Sequence, residues 1–365
     1  MANRLTGARV CMAVLAAGAA LAGAAAPARA QNPYELVDGN WIAVAAPAKG
    51  TPAGELELIR QYVDKGWGRT ACRAVDSFLK KYPADPTAEE VMNLGGQAEM
   101  VRGRYFQAFE RFNDQILRFP GGPYVERALQ RELEIGEAFL AGKKRIVWGI
   151  FYLSAERDGI DILNKIVDHA PGSTLAEKGL LRIADYHYQE REYPEAVRAY
   201  DRYLEVFGRG EKASYAMLQA ARASYANFRG IEFEDTPLLE ATQRYRMFAE
   251  RFPLQADRAN VPRILEGIRV TLARKMYATG QFYERVHKPA PAKFYYRLTA
   301  EQYPQTEWET KAAAALRRLG EPLPAPGAGG PTVPVVPATM PASAPATLPA
   351  TAPATAPTTA PSVTP

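Results

Sequence analysis

Small and apolar residues recur at fixed distances along this chain, as the segment Tyr193 to Gly208 (YPEAVRAYDRYLEVFG) shows. Ala196 is followed four residues later by Tyr200, on the same face of a helix, and twelve residues later by Gly208, a helix breaker. Five other segments repeat this spacing and end in proline: Ala71, Val75 and Pro83; Ala108, Phe112 and Pro120; Gly159, Leu163 and Pro171; Ala241, Tyr245 and Pro253; Ala292, Tyr296 and Pro304. The pattern predicts six helices of similar length, each ended by its breaker.

A second set of apolar stripes precedes these helices and predicts a partner for each of them. Leu58, Ile59 and Tyr62 lie at helical spacing before a turn at Gly66. Helix starts are indicated by a threonine followed three residues later by a glutamate, the capping-box pattern, at Thr87–Glu90, Thr174–Glu177 and Thr306–Glu309. Since no alternating stretch is long enough for a central strand, we expect an all-α body.

Repetition of this unit predicts how the core is built. A pair of helices of this size cannot bury its apolar face alone, so neighbouring pairs must stack into a solenoid. Pro120 to Pro171 is a longer interval than most and contains an aromatic run from Ile146 to Leu153. We interpret Lys143-Lys144-Arg145 before this run as a solvated helix end, with an anion site as the alternative. The expected fold is a helix-hairpin solenoid of about six repeats.

Composition divides the chain into four segments. Residues 1–30 have a basic start, an apolar run and the ending Ala28-Arg29-Ala30, which predicts a cleaved secretory signal peptide better than a membrane-spanning anchor. Residues 31–54 are expected to form an extended arm and residues 55–320 the solenoid. Residues 321–365 are rich in Pro, Ala and Thr, which predicts a disordered tail that acts as a spacer, a carrier of O-linked sugars or a plain linker.

Charge and cysteine content narrow the possible partners. Removing the three arginines of the signal peptide from 45 basic residues leaves a net charge near +2 against 40 acidic residues. This near-neutral balance does not suggest a nucleic-acid or anionic-membrane partner. Once Cys11 leaves with the signal peptide, Cys72 remains alone, and we interpret it as a buried small apolar residue.

Residues that could carry catalysis or bind a metal are scarce. The three histidines, His169, His187 and His287, are far apart in sequence and near no further ligand at metal-binding spacing. No nucleophile elbow or phosphate-binding glycine loop is present in the sequence. We therefore expect no catalytic residue, no cofactor and no metal.

Binding residues are predicted from the spacing on the first helix of two repeats. Asn and Gln side chains there can hydrogen-bond to the main chain of an extended peptide, while Met and Tyr offer adaptable apolar contact. The predicted partner-binding groove comprises Glu90, Asn93, Gln97, Met100, Lys178, Asp185, Tyr188 and Gln189. A solvated helix face is the alternative at each of these positions.

The spacing of small residue, aromatic residue and breaker resembles the tetratricopeptide repeat. The order of regular and long repeats resembles the BamD-like family over about residues 55–320. The segments that carry this resemblance are FLKKYP, GRYFQAFERFNDQILRFP, the WGIFYL run, FEDTPLLEATQRYRMFAERFP and ATGQFYERVHKPAPAKFYYRLTAEQYP. Those proteins are periplasmic lipoproteins of the outer-membrane barrel-assembly machinery. They carry a lipidated cysteine after the signal peptide, where this chain has Ala30-Gln31.

The resemblance implies a non-catalytic scaffold of the bacterial cell envelope that contributes to outer-membrane protein assembly. Its expected partners are proteins, either extended peptides or barrel-assembly subunits, with peripheral association to the outer membrane or cell wall and a location in the periplasm or at the outer membrane. The tail and the missing lipid site favour an alternative, a peptidoglycan- or cell-division-associated repeat scaffold. The third hypothesis, the solenoid of a wall-cleaving enzyme, needs a catalytic domain for which residues outside 55–320 provide no room.

Overall fold

The computed structural model describes residues 48–147 and 150–322, together with the backbone of 34–37 and 40–43. The predicted signal peptide and all but the first two residues of the predicted tail lie outside the described residues. In chain order the described elements are β1 Tyr34–Val37, β2 Asn40–Ala43, α1 Pro52–Asp64, α2 Gly68–Lys81, α3 Ala88–Val101, α4 Tyr105–Arg118, α5 Val125–Leu140, β3 Arg145–Val147, β4 Phe151–Leu153, α6 Glu156–His169, α7 Thr174–Gln189, α8 Tyr193–Phe207, α9 Ala213–Ala226, α10 Thr236–Arg251, α11 Pro253–Arg258, α12 Val261–Arg285, α13 Pro289–Gln302 and α14 Glu307–Arg318.

The chain divides into two compact units, residues 1–179 and 180–365, with the division inside α7. In the first unit each of the helices α1 to α5 packs against the next one along the chain, ending with α5 on α6. In the second unit α8 packs on α9, α9 on α10, α12 on α13 and α13 on α14, and the short α11 contacts α10 and α12. The predicted all-α helix-hairpin architecture is confirmed.

The spacing found in the sequence marks the core. Its small residue and the residue four positions later are buried in all six helices, and the largest exposed fraction given for any of them is the 1% of Tyr245. Glycine or alanine at the first of these positions lets a neighbouring helix approach closely. At Gly159, for example, an added Cβ would lie only 3.0 Å from the carbonyl oxygen of Gly136. These positions therefore build the contacts between paired helices.

Proline ends five of the six helices in the same way. The residue before the proline leaves the helical region for φ between −126° and −137° and ψ between 57° and 64°, at Tyr82, Phe119, Ala170, Phe252 and Tyr303. The ring of a following proline clashes with a helical conformation at this position, which explains the common geometry. Phe207, which precedes Gly208, stays helical, and Gly208 itself is the C-cap at φ −62°.

Only one of the three predicted capping boxes forms as a threonine cap. The Thr306 hydroxyl accepts a hydrogen bond from the Glu309 N–H (3.2 Å). Thr87 caps nothing, because its own N–H and hydroxyl both donate to the Asp85 carboxylate (2.8 and 2.5 Å). Before α7 the cap is Ser173, whose hydroxyl accepts from the Ala176 N–H (3.1 Å). The predictions at Thr87 and Thr174 were wrong because a neighbouring side chain competes for each role.

Two antiparallel hairpins accompany the helices. In the predicted extended arm β1 pairs with β2, with Tyr34 opposite Ala43. Between α5 and α6, β3 pairs with β4, with Arg145 opposite Leu153. The basic run 143–145 is therefore not a helix end as predicted, since α5 stops at Leu140 and the run leads into β3. The segment 146–153 is rich in β-branched and aromatic residues and contains Gly149, a composition typical of a hairpin.

Candidate partner-binding surfaces

In the first unit a chain of amides and one carboxylate joins α3, α4 and the start of α5. The Gln97 amide donates to Asn93 (2.7 Å), Asn93 donates to Gln115 (3.0 Å), and Gln115 donates to Glu89 (3.4 Å). Glu89 also accepts from the backbone N–H of Tyr124 just before α5 (2.9 Å). Asn93 is 1% exposed and engaged on both sides, so its structural position is that of a core residue and not of a groove residue.

The other predicted residues of this unit differ in how free they are. Glu90 forms an ion pair with Arg60 on α1 (2.6 Å). Gln97 and Met100 are half-buried, and Lys178 at the start of α7 is exposed. Gln97, Met100 and Lys178 are thus the predicted positions of the first unit that can reach a partner without breaking an ion pair.

In the second unit Asp185 organises the predicted residues of α7. Its carboxylate accepts hydrogen bonds from the hydroxyls of Tyr200 on α8 (2.6 Å) and Tyr215 on α9 (2.9 Å). Tyr188 is half-buried and meets Tyr193 edge-on at 5.9 Å between ring centroids, and Gln189 is exposed. Asp185 therefore holds three helices in register beside Tyr188.

The polar contacts continue along α9 at positions that sequence reasoning missed. The Gln219 amide donates to the Tyr215 hydroxyl (3.1 Å), and Arg222 donates to the Gln219 carbonyl oxygen (3.4 Å). Tyr215 and Tyr225 are 39% and 41% exposed. The tyrosine surface, as we name it, consists of Asp185, Tyr188, Tyr215, Gln219, Arg222 and Tyr225.

Two buried tyrosines next to this surface, Tyr200 and Tyr245, have raised pKa values. Burial raises the pKa of Tyr245, on α10, to about 12, and the Arg222, Tyr188 and Tyr225 side chains act on the same hydroxyl. Burial and the hydrogen bond to Asp185 together raise the pKa of Tyr200. Both phenols are buried and stay protonated at neutral pH, and the Tyr200 hydroxyl donates its hydrogen bond to Asp185.

The tyrosine surface offers the chemistry of peptide recognition. It combines exposed aromatic rings, an amide and a guanidinium on a rigid helical support, the groups that bind a main chain or a carboxylate with little loss of side-chain entropy. The spacing of four and then three residues places Tyr215, Gln219 and Arg222 on one face of α9. This helical period is the sequence signal that could have revealed the surface.

The histidines and the cysteine have structural surroundings. His169 contacts Asn113 (3.3 Å), and His187 contacts Glu192 (2.7 Å). Cys72 is buried, as predicted, and burial raises the pKa of its thiol. Within the part of the chain that the structure describes, no group of three or more His, Cys, Asp or Glu residues is placed to hold a metal ion.

Comparison with known proteins identifies the second half of the body. Residues 153–322 match the model of a family described as YfiO, outer membrane lipoprotein. Over these residues the chain is similar to that family, in agreement with the resemblance found in the sequence. The matched residues include the whole tyrosine surface. A search of curated proteins finds no match.

Several solved structures are similar to this chain at low identity. A tetratricopeptide repeat protein from Parabacteroides merdae is 16% identical, with 73% of this chain and 98% of that chain covered and a TM-score of 0.30. The C-terminal part of a repeat-containing protein from Cytophaga hutchinsonii is 14% identical, covering 72% and 88%, with a TM-score of 0.33. PilW, a type IV pilus biogenesis factor, is 13% identical, covering 72% and 99%, with a TM-score of 0.25.

Among the described helices of this chain, none combines the length and the apolar character that a membrane span requires.

Proposed function

We propose that this chain is a non-catalytic protein-binding scaffold of the bacterial cell envelope that contributes to outer-membrane protein assembly. The observation that carries the proposal is the match of residues 153–322 to an outer-membrane lipoprotein family. The partners are extended peptides or barrel-assembly subunits, and the protein acts in the periplasm or at the outer membrane.

The tyrosine surface is the binding site that we propose within this region. Asp185 accepts hydrogen bonds from the hydroxyls of the buried Tyr200 and the exposed Tyr215, so the Tyr215 ring is held in place before a partner arrives. Such preorganisation reduces the entropy lost on binding. Arg222 is exposed at the end of the hydrogen-bond chain and is positioned to receive a carboxylate of the partner. The predicted residue Gln189, exposed at the end of α7, supplies a further contact, whereas Gln97, Met100 and Lys178 belong to the first unit and are not part of this site.

An affinity experiment tests both the role and the site. Residues 31–365 are immobilised, solubilised envelopes are passed over them, and retained barrel-assembly subunits are quantified by mass spectrometry. We expect retention by the wild type and a loss of about tenfold or more in the double variant Arg222→Ala/Tyr225→Ala, because interface arginines and tyrosines carry a large share of binding energy.

A matched control separates the site from general effects of surface change. Arg198→Ala/Leu254→Ala removes a similar pair of exposed side chains from α8 and α11, where the Arg198 side chain is 70% exposed and Leu254 is 71% exposed. This variant should retain partners as the wild type does. Equal losses in both variants would refute the tyrosine surface as the binding site.

A second candidate function is a scaffold associated with peptidoglycan or cell division. It is favoured by Ala30-Gln31 in place of a lipidated cysteine and by the Pro/Ala/Thr-rich tail. Recovery of wall-associated proteins without any barrel-assembly subunit would overturn the assembly role and support this one. A muramidase assay of the purified chain measures the remaining enzymatic alternative directly.

A further inference from the structure

The β3–β4 hairpin exposes a continuous apolar segment. Ile150, Phe151, Tyr152 and Leu153 are 69%, 51%, 63% and 53% exposed. Four consecutive large apolar side chains in water are costly for an isolated scaffold, and such patches mark surfaces that another phase or molecule covers. We name residues 150–153, which are β4 and the residue before it, the apolar tip.

The start of β3, where Arg145 lies opposite Leu153, and the residues before it are held on α4 and α6. The Lys143 ammonium lies 3.6 Å from the centroid of the Tyr105 ring, and the Arg145 guanidinium lies 3.3 Å from that of Phe106. Arg145 also forms an ion pair with Asp158 at 3.3 Å. The fold therefore presents the apolar tip from a fixed support.

Both faces of the tip strand are apolar. Side chains alternate between the two faces of a β-strand, so Phe151 and Leu153 lie on one face and Tyr152 on the other. A protein partner that packs on one face leaves the opposite face in water. A lipid interface surrounds an inserted strand and covers both faces.

Charge beside the hairpin fits an anionic surface. Lys143 and Lys144 are exposed next to the hairpin, Arg145 forms an ion pair with Asp158, and the Glu156 carboxylate at the start of α6 interacts with Lys144. Basic residues beside an apolar insertion are attracted to anionic headgroups. Tyrosine at position 152 suits the boundary between headgroups and acyl chains.

We propose that the β3–β4 hairpin inserts its apolar tip into the interface of a membrane that contains anionic phospholipid. The insertion gives this chain a peripheral membrane contact that needs no lipidated cysteine. It does not depend on the protein-binding role of the tyrosine surface. Strand addition by a protein partner is less well supported, because each hairpin strand has only three residues to offer.

Vesicle co-sedimentation tests the insertion. Residues 31–365 are mixed with vesicles of phosphatidylethanolamine and phosphatidylglycerol, or of phosphatidylcholine alone, and the bound fraction is measured at low and at physiological salt. We expect binding to the anionic vesicles that weakens with salt. The variant Phe151→Ser/Leu153→Ser should bind about tenfold or more weakly, because it loses the favourable free energy of transferring two apolar side chains out of water.

Two further variants make the result specific. Leu117→Ser/Leu254→Ser changes side chains that are 63% and 71% exposed elsewhere, and it should bind as the wild type does. Lys144→Gln should weaken binding to anionic vesicles and leave the phosphatidylcholine result unchanged. Circular dichroism confirms that each variant is folded.

The proposal is overturned if the wild type binds neither type of vesicle, or if the Phe151→Ser/Leu153→Ser variant binds as well as the wild type. A hairpin variant that changes only the sedimentation coefficient of the protein would assign the tip to a contact between two copies of this chain. A loss confined to the retention of protein partners would assign it to a protein interface.

Discussion

The most informative perturbation concerns Glu132 in α5, whose carboxylate is buried. Its side chain is 0% exposed, and within the described part of the chain neither carboxylate oxygen has a hydrogen-bond partner. Burial raises the pKa of Glu132 from its ordinary 4.5 to about 8, and the Lys165 ammonium on α6 offsets only part of this effect. At neutral pH the folded chain therefore holds this group mostly as the neutral acid.

The pKa difference determines the sign and the size of the pH dependence. Because the folded state binds the proton more tightly than the unfolded state, the favourable contribution is complete below pH 4.5 and is lost as the pH rises through about 8. The two pKa values differ by about 3.5, which corresponds to about 5 kcal/mol at about 1.4 kcal/mol per pH unit. Relaxation and water entry make this an upper value.

The variant Glu132→Gln keeps the shape of the side chain and cannot ionise. We expect its free energy of unfolding to be similar to that of the wild type near pH 4.5 and higher by up to about 5 kcal/mol above pH 8. Urea unfolding followed by far-ultraviolet circular dichroism at a series of pH values measures the difference. Glu137→Gln, an exposed glutamate on the same helix, is the matched control and should follow the wild type at every pH.

A stability difference between Glu132→Gln and the wild type that stays constant from pH 4.5 to 8 would refute this reasoning. Such a result would mean that the carboxylate is solvated or paired in the folded chain. A difference that grows as the pH falls would show that the pKa is lowered and not raised.

Two further substitutions test the packing and capping of the repeats. Gly96→Ala should destabilise the first unit by about 1–3 kcal/mol in urea unfolding, because the new Cβ would lie 2.4 Å from the Phe112 ring. The control Gly267→Ala in α12 places its Cβ in open space and should stabilise the fold by up to about 1 kcal/mol. A Gly96→Ala variant as stable as the wild type would contradict the close packing. Thr306→Ala should lower the free energy of unfolding by about 1 kcal/mol, because it removes the side-chain cap of α14. Thr174→Ala should change it little, since Ser173 caps α7. Equal shifts of the thermal midpoint in the two variants would contradict the assignment of caps.

The repeat spacing predicted the core because it depends on local geometry. A residue and the one four positions later share a helix face in any helix, so Ala108 and Phe112 were bound to be buried together. A proline restricts the residue before it, so Tyr82 and Phe119 end their helices alike. These features follow from the order of residue types along one segment.

The candidate site was only partly predictable, because it depends on which side chains face each other across helices. Asn93 had the same spacing as Gln97, but Gln115 on α4 lies opposite it and draws it into the core. Asp185 was selected for a groove, and its actual contacts are the hydroxyls of Tyr200 and Tyr215.

The order of residues along the chain thus determined the helices, their ends and the buried small and aromatic positions, since period and steric restriction act within a few residues. Tertiary packing decided the fate of the polar and aromatic groups. It left Glu132 without a partner, joined Tyr215 to Asp185, and set Tyr152 and its neighbours on an exposed hairpin. Burial and hydrogen bonding of these groups depend on atoms from distant segments, which no local pattern contains.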